Sequence, residues 1–278
     1  MKRPLETLML WGFVVLLCTA SQAALHKDIE YANVDGVHLT LDACVPEGIG
    51  PFPAAILVHG GGFVAGDKQE YITYIFQPLS DAHFVWFTIN YRLAPKYKFP
   101  AATDDVERAI QYVKAHASEY KVDASRLALI GESAGGHLVS YVGARNRPAA
   151  RVAAVVSMYG IHDFVSRAVK MAGQPSEALS SFLGVDQLNA GTATILANAS
   201  PVLYVTKEMP PFLLIHGDKD EEVPYEQSVE MCDQMKKTGA HCDLITVNAG
   251  HGMDTWEPHP ELQWYKQALV DWLRKTLK

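Results

Sequence analysis

Short apolar runs alternate along the chain with longer segments of helical periodicity. Several of the runs are nearly continuous in β-branched and aromatic residues, which is typical of strands that are covered on both faces. Buried strands are therefore predicted at residues 54–58, 84–89, 127–130, 152–158, 212–215 and 244–247. Because strands that alternate with helices form parallel sheets, this pattern predicts an α/β fold with a mostly parallel central sheet flanked by helices.

Amphipathic helices are predicted at residues 103–116 and 261–277, where apolar side chains recur with a period near that of a helical turn. In the first segment, for example, Val106, Ile110 and Val113 fall on one face. These two segments and the six predicted strands are enough to indicate helices on the faces of a sheet.

Two stretches depart from the alternation. Residues 28–44 have no helical period, and Asp35-Gly36 near their centre predicts an antiparallel hairpin. Residues 160–207 have mixed polarity, contain Pro175 and Pro201, and show no clear strand. Since a long insertion in a compact domain is often a lid or a binding element, we expect a small cap over the functional site. An ordinary surface excursion is the alternative.

Residues 1–23 are expected to form a signal peptide. The chain begins with a basic pair, continues with an apolar run at residues 8–17, and then offers small residues in Ser21-Gln22-Ala23. A membrane-spanning helix needs about 20 apolar residues, so stable membrane insertion is not expected. The sequence thus predicts a secreted or periplasmic protein with a single domain at residues 24–278.

Removal of residues 1–23 would leave three cysteines. Export makes a disulfide chemically possible. Cys232 and Cys242, on a predicted helix and the strand after it, are the expected pair, with Cys44 left over; three buried thiols are the alternative. Cys18 lies in the apolar run, and its lipidation is a minor alternative. No Cys-x-x-Cys spacing is present, so no zinc site is expected.

Composition narrows the class of partner. The formal net charge is −7, and no stripe of Lys and Arg stands out along the chain. Nucleic-acid binding needs clustered basic residues to neutralise phosphates, so no nucleic-acid partner is expected. The 278 residues, 49% of them hydrophobic, suffice for one large core.

A predicted strand runs into Gly131-Glu132-Ser133-Ala134-Gly135, and a helical segment follows. This is the context that a Gly-x-Ser-x-Gly nucleophile motif requires. Glycine at Gly131 and Gly135 removes side chains that would collide in such a tight turn. The start of the following helix favours a developing anion. Ser133 is therefore predicted to be a nucleophile.

A serine hydroxyl needs a base, and the base needs an orienting acid. His251 lies between Gly250 and Gly252, after the last predicted strand, and is the predicted base. Asp220 follows the strand at 212–215 and is the predicted acid. Asp218 in the same loop is interpreted as a turn residue. The competing histidines, His241 and His259, are expected at the surface.

The run His59-Gly60-Gly61-Gly62 follows the strand at residues 54–58. Glycines let the backbone approach a substrate and aim N–H groups at a tetrahedral oxygen. We assign an oxyanion hole to the N–H groups of Gly61, Gly62 and Ala134. His59 is expected to order this loop. A phosphate-binding loop would need a Gly-Lys-Ser/Thr ending, which is absent.

The motifs together resemble those of the α/β-hydrolase superfamily. The segments that carry the resemblance are His59 to Gly62, Tyr91-Arg92-Leu93-Ala94-Pro95, Phe99 to Ala102, Gly131 to Gly136, and His216-Gly217 with Asp220. Within that superfamily the chain looks like the hormone-sensitive-lipase-like and the feruloyl/acetyl-xylan-esterase-like carboxylesterases.

This resemblance implies an α/β-hydrolase fold and a serine esterase that uses neither metal nor cofactor. Its substrates would be esters with short or aromatic acyl groups, either small molecules or acylated polysaccharides. Tyr91, Arg92 and Asp105 would be structural residues. Residues 160–207 match no pattern of these families, so the resemblance does not define the acyl or alcohol group.

Two other function classes remain open on the same scaffold. A serine amidase, such as an exopeptidase or an aryl formamidase, can use the same three side chains. A non-catalytic binding protein usually lacks the serine, the base or the glycine donors, all of which are present here. The sequence makes no prediction about oligomeric state.

Overall fold

The computed structural model describes residues 23–170, 175–187 and 189–278. Residues 1–22, nearly all of the expected signal peptide, lie outside the described residues. Among the helices that are described, none combines the length and the apolar character needed to cross a membrane.

Eight strands form one sheet in the order β1-β2-β4-β3-β5-β6-β7-β8. Their bounds are β1 Ala24–Val34, β2 Val37–Val45, β3 Phe52–Val58, β4 Val85–Ile89, β5 Val122–Glu132, β6 Ala154–Met158, β7 Phe212–Gly217 and β8 Cys242–Val247. β1 pairs antiparallel with β2, and β2 with β4; from β4 to β8 every pairing is parallel. The predicted mostly parallel sheet and the hairpin around Asp35-Gly36 are therefore confirmed.

Nine α-helices lie within the described residues. They are α1 Phe76–Asp81, α2 Ala101–Ala115, α3 Ala134–Arg145, α4 Phe164–Lys170, α5 Glu177–Leu183, α6 Ala193–Ala199, α7 Glu226–Thr238, α8 Met253–Trp256 and α9 Trp264–Thr276. The helix predicted at residues 103–116 corresponds to α2. The one predicted at 261–277 is shorter, because a separate 3-10 turn at Pro260–Leu262 precedes α9.

The central strands are apolar throughout because both faces of the sheet are covered. In β3, Ile56 and Val58 pack into a core with α2, α3 and α7, whereas Ala55 and Leu57 pack on the other face with α1 and α9. All four side chains are fully buried. Successive residues of a strand point to opposite faces, so a strand between two helical layers needs an unbroken apolar run.

The carboxyl ends of β3, β5, β7 and β8 lie at the same edge of the sheet, since these strands run parallel. In this register Val58 is paired with Gly131, and Glu132 with Met158. Loops that leave this edge carry the residues predicted to act, which is the usual place for a site in an open α/β sheet.

Residues 160–207, predicted to be a cap without clear strands, contain the three short helices α4, α5 and α6. Each has seven residues, which is too short for a helical period to stand out in the sequence. Phe182 of α5 stacks on Phe63 with 3.8 Å between ring centroids, so this segment packs against the loop after β3.

A disulfide joins Cys232 in α7 to Cys242 at the start of β8, with 5.4 Å between the Cα atoms. This is the pair favoured by the sequence. Cys44 is a free, buried thiol.

Candidate active site

Ser133 occupies a strained turn between β5 and α3, with φ 52° and ψ −117°. Its N–H donates to the carbonyl oxygen of Met158 on the neighbouring strand, at 2.9 Å. The turn fits because Gly135 has no side chain: a Cβ there would lie 2.1 Å from the carbonyl oxygen of Val58. A non-glycine residue at positive φ costs on the order of 1–3 kcal/mol, and such strain is concentrated at functional sites.

The structure brings together the three side chains predicted to act as nucleophile, base and acid. The Oγ of Ser133 lies 3.0 Å from Nε2 of His251. On the other side of that ring, Nδ1 lies 2.6 Å from Oδ2 of Asp220. Nδ1 therefore donates to the carboxylate, which leaves Nε2 free to accept a proton from the serine hydroxyl.

Asp220 is buried and held from several sides. Its Oδ1 accepts the N–H groups of Glu222 and Val223, at 2.9 and 2.8 Å. Its Oδ2 is also 3.3 Å from Nε2 of His216. Burial by itself raises the pKa of Asp220, but hydrogen bonds from His216, His251 and the backbone outweigh it and hold the pKa well below the ordinary value. Asp220 thus stays a carboxylate.

The pKa of His251 is raised above its ordinary value. Burial favours the neutral ring, but the hydrogen bond and the charge of Asp220, helped by the charges of Glu222 and Glu132, favour the protonated form more strongly. The site is thus suited to stabilise an imidazolium while a proton is held on Nε2.

The competing residues lie elsewhere. Asp218 is exposed, and its N–H is bound to the carbonyl oxygen of Val247. The side chains of His241 and His259 are also exposed, as predicted, and each lies beside a surface carboxylate.

Of the predicted oxyanion-hole residues, Gly62 and Ala134 line the same pocket as Ser133, and Ala134 is the first residue of α3. Gly61 is not among the described residues that line this pocket. It forms the turn of the loop with φ 90°, and its carbonyl oxygen accepts the N–H of Ala65 at 3.0 Å.

A buried pair of rings contacts the loop at residues 59–63, the glycine loop. His59 donates from Nδ1 to the carbonyl oxygen of Gly60 at 2.9 Å and stacks on Tyr91 with 4.3 Å between ring centroids. The Tyr91 hydroxyl lies 3.0 Å from the carbonyl oxygens of both His59 and Gly60. Burial lowers the pKa of His59 to about 4, so the ring is neutral at pH 7 and orders the loop, as expected.

Arg92 and Asp105 form a bidentate pair that fixes the segment after β4 to α2. Nε of Arg92 lies 2.8 Å from Oδ2 of Asp105 and Nη2 lies 2.9 Å from Oδ1, and Oδ2 also accepts the backbone N–H of Arg92. Both side chains are largely buried. Their position agrees with the structural role that the family resemblance implies.

Sequence reasoning missed Glu132, the middle residue of the nucleophile motif. Its side chain is buried, and its Oε1 has no hydrogen-bond partner among the described residues. Burial raises the pKa of Glu132 to about 7, against the lowering effects of the Gly60 N–H, His251 and Tyr159. The available signal was an ionisable residue at the end of a strand otherwise buried on both faces.

Tyr159 was also missed; it lowers the pKa of Glu132 and contacts the loop of His251. Its ring lies 4.8 Å from that of His251 in an edge-on arrangement. Its hydroxyl accepts the N–H of Met253 at 3.0 Å. A tyrosine after an apolar strand gives no sequence signal for such a contact.

A pocket of about 260 Å³ opens above Ser133 and His251. Its apolar wall comes from three segments. Phe63 belongs to the glycine loop, Val223 to the loop at residues 218–225 that carries Asp220 (the acid loop), and Ile161 and Leu179 to the predicted cap. Arg167 of α4 also reaches the wall. Within residues 23–170, 175–187 and 189–278, no group of three or more His, Cys, Asp or Glu side chains is placed to hold a metal ion.

Comparison with known proteins identifies the family of the chain. Residues 41–235 match the BD-FAE family. The probable carboxylic ester hydrolase LipM of Mycobacterium tuberculosis is 32% identical over 68% of this chain and 46% of its own length. The chain spans about half the length of the curated relatives it matches.

Two solved structures are similar over nearly all of the chain. A truncated carbohydrate esterase from gut microbiota superposes with a TM-score of 0.80 at 26% identity, covering 92% of this chain and 97% of that one. A bifunctional GH43-CE protein of Bacteroides eggerthii gives 0.78 at 26% identity, covering 91% of this chain and 38% of that one. The chain therefore belongs to the BD-FAE family and has the fold of the α/β-hydrolase esterases.

Proposed function

We propose that the protein is a serine carboxylic ester hydrolase in which Ser133 is the nucleophile, His251 the general base and Asp220 the orienting acid. One observation carries the proposal: the continuous contact from Ser133 Oγ through His251 to Asp220, at 3.0 and 2.6 Å, beside a strained turn. The names of the similar proteins, a carboxylic ester hydrolase and a carbohydrate esterase, support the same reaction class.

In the proposed reaction, Oγ of Ser133 attacks the ester carbonyl while Nε2 of His251 takes the hydroxyl proton. The N–H groups of Ala134 and Gly62, which line the pocket, and of Gly61 in the same glycine loop are the proposed donors to the negative charge that develops on the carbonyl oxygen. His251 then gives its proton to the departing alcohol. A water molecule, deprotonated by the same ring, releases the acid from Ser133.

The substrate class is proposed from the pocket and from the relatives. A pocket of about 260 Å³ with an apolar wall suits a short-chain or a compact aromatic acyl group. The similar structures include a carbohydrate esterase and a GH43-CE protein, which supports acylated polysaccharides as well as small esters. Residues 160–207 contribute Ile161, Arg167 and Leu179 to the wall, which supports their role as a cap.

Secretion or export to the periplasm is part of the proposal. The Cys232–Cys242 disulfide supports it, because such bonds persist in oxidising compartments. Amino-terminal sequencing of the protein recovered outside the cytoplasm checks the predicted cleavage after Ala23.

The reaction is tested by incubating the purified protein with p-nitrophenyl acetate and butyrate, beside Ser133→Ala. Wild type should release p-nitrophenol, and the variant should lose at least about 10³-fold in kcat. Peptide p-nitroanilides and N-formylkynurenine, assayed in parallel, separate an esterase from an amidase. Methyl ferulate and acetylated xylan then define the acyl group. Equal hydrolysis by wild type and Ser133→Ala would refute the proposal.

A further inference from the structure

Arg167 is the one arginine or lysine among the described residues that line the pocket above Ser133. Most of the rest of the wall is apolar, with Phe63, Ile161, Leu179 and Val223, and Glu222 is the one carboxylate in this lining. Placing a guanidinium beside such side chains removes part of its hydration, which costs free energy unless the charge is compensated. The position of Arg167 in this wall therefore needs a physical explanation.

The backbone that carries Arg167 is fixed to the body of the protein. On the buried Gln227 of α7, Oε1 accepts the N–H groups of His162 and Asp163, at 2.9 and 2.8 Å. The N–H of Phe164 donates to Oγ of Ser200 at 2.9 Å. Because α4 begins at these anchored residues, the position of Arg167 in the pocket wall is well defined.

The guanidinium is only partly satisfied by the protein. Nη2 donates to the carbonyl oxygen of Glu222 at 2.8 Å. Nε is buried and has no hydrogen-bond partner among the residues that the structure describes. Burial lowers the pKa of Arg167, as expected for a charge withdrawn from water, although the charges of Asp220 and Glu222 act in the opposite direction.

Neither nearby carboxylate is placed to neutralise Arg167 by direct pairing. Asp220 is engaged by His251 and by the N–H groups of Glu222 and Val223. The Glu222 side chain is 77% exposed, and it is the Glu222 carbonyl oxygen that Arg167 contacts. A cation that lines the same pocket as the nucleophile, and that has no side-chain carboxylate paired with it among the described residues, can bind a charged group on a ligand.

We propose that Arg167 is a specificity-determining residue that binds a carboxylate carried by the substrate, so that the protein prefers esters bearing an acidic group near the scissile bond. This inference rests on the proposed ester hydrolase function. The acidic group can belong to the acyl part, as in a half-ester of a dicarboxylic acid, or to the alcohol part, as in an ester of a hydroxy acid. The guanidinium of Arg167 can bind the carboxylate in either case.

The test compares charged and neutral esters of similar size on wild type, Arg167→Gln and Arg167→Lys. Mono-p-nitrophenyl glutarate against p-nitrophenyl valerate examines the acyl side. Acetoxyacetate against propyl acetate, followed by release of acetate, examines the alcohol side. Arg151→Gln is the matched control, because Arg151 is an exposed arginine at the opposite edge of the sheet, just before β6.

Arg167→Gln should lower the charged-to-neutral ratio of kcat/KM by about 10- to 100-fold in one arm, the range expected for a lost hydrogen bond between charged groups. The loss of kcat/KM on the neutral ester should be smaller than the loss on the charged ester. Arg167→Lys should restore part of the ratio, and Arg151→Gln should leave it unchanged.

A ratio that Arg167→Gln leaves unchanged in both arms, or a uniform loss on charged and neutral esters, would overturn the proposal and make Arg167 a tether between α4 and the acid loop. If Arg167→Gln does not fold, Arg167→Lys tests the proposal, because lysine keeps the positive charge but lacks the planar guanidinium that can bind a carboxylate through two hydrogen bonds. Its charged-to-neutral ratio should then fall by at least about threefold in one arm, and an unchanged ratio overturns the proposal. Absence of hydrolysis of every ester by wild type would instead refute the proposed function.

Discussion

At the scale of single residues, the two oxygens of the Asp220 carboxylate have different partners. One oxygen is held by two backbone N–H groups of its own loop, and the other faces His251. This arrangement fixes the direction of the carboxylate before any substrate binds. Preorganisation of that kind holds the imidazole in the tautomer that leaves Nε2 able to accept a proton.

Asp220→Asn should keep the fold and slow the reaction. An amide oxygen can still accept the two loop N–H groups, but the charge that stabilises protonated His251 is lost. We expect kcat on p-nitrophenyl acetate to fall by roughly 10³- to 10⁴-fold. Asp218→Asn, in the same loop but exposed, is the control and should stay within about twofold of wild type. Comparable losses in both variants would argue against the assigned role.

Glu132 predicts a specific pH dependence of stability. Because burial raises its pKa from 4.5 to about 7, the folded protein binds this proton more tightly than the unfolded chain does. The stability that it contributes is present at pH 4.5 and is lost as the pH rises through 7. Glu132→Gln is neutral throughout, so its free energy of unfolding relative to wild type should rise by about 3 kcal/mol between pH 4.5 and 8.

Urea denaturation of wild type and Glu132→Gln at a series of pH values measures this difference. Glu119→Gln, which makes the same change at an exposed glutamate, is the matched control for the substitution itself. A difference between Glu132→Gln and wild type that does not change with pH would show that Glu132 titrates normally.

At the scale of elements, the Cys232–Cys242 disulfide joins α7 to β8. β8 precedes the loop of His251, and its neighbour β7 precedes the loop of Asp220. It closes a loop with a sequence separation of 10 residues. By loop-closure entropy, such a link stabilises the fold by about 2–3 kcal/mol. Cys232→Ala/Cys242→Ala should lose about that much stability in chemical denaturation.

Reducing agent separates this effect from packing changes in the variant. Dithiothreitol should lower the stability of wild type and leave the double variant unchanged, since Cys44 is present in both proteins. Equal sensitivity of the two proteins to the reductant would contradict a stabilising disulfide.

Sequence pattern predicted some elements well and others poorly, for physical reasons. β3 and β4 were found because strands covered on both faces need unbroken apolar runs. The short helices α4, α5 and α6 were not, since two turns stabilised by packing leave little periodicity. The contact between Phe63 and Phe182 joins residues 119 positions apart, and no local pattern encodes it.

At the scale of the whole molecule, the order of motifs along the chain predicted the residues of the candidate site. In a parallel sheet, residues that follow strand ends converge on one edge, so Ser133, Asp220 and His251 could be brought together from their placement alone. Glu132, Tyr159 and Arg167 could not be, because their importance depends on burial and on partners distant in sequence. The sequence therefore predicted the candidate nucleophile, base and acid, whereas the neighbouring residues that act on them were recognised only from the packing.

The central claim is that Ser133 is the activated nucleophile. The most direct measurement is intact-protein and peptide mass spectrometry after titration with a fluorophosphonate, with esterase activity followed in parallel. We predict one adduct per chain, located on Ser133, and a loss of p-nitrophenyl butyrate hydrolysis in proportion to labelling. No adduct, an adduct on another residue, or full activity in the labelled protein would contradict it.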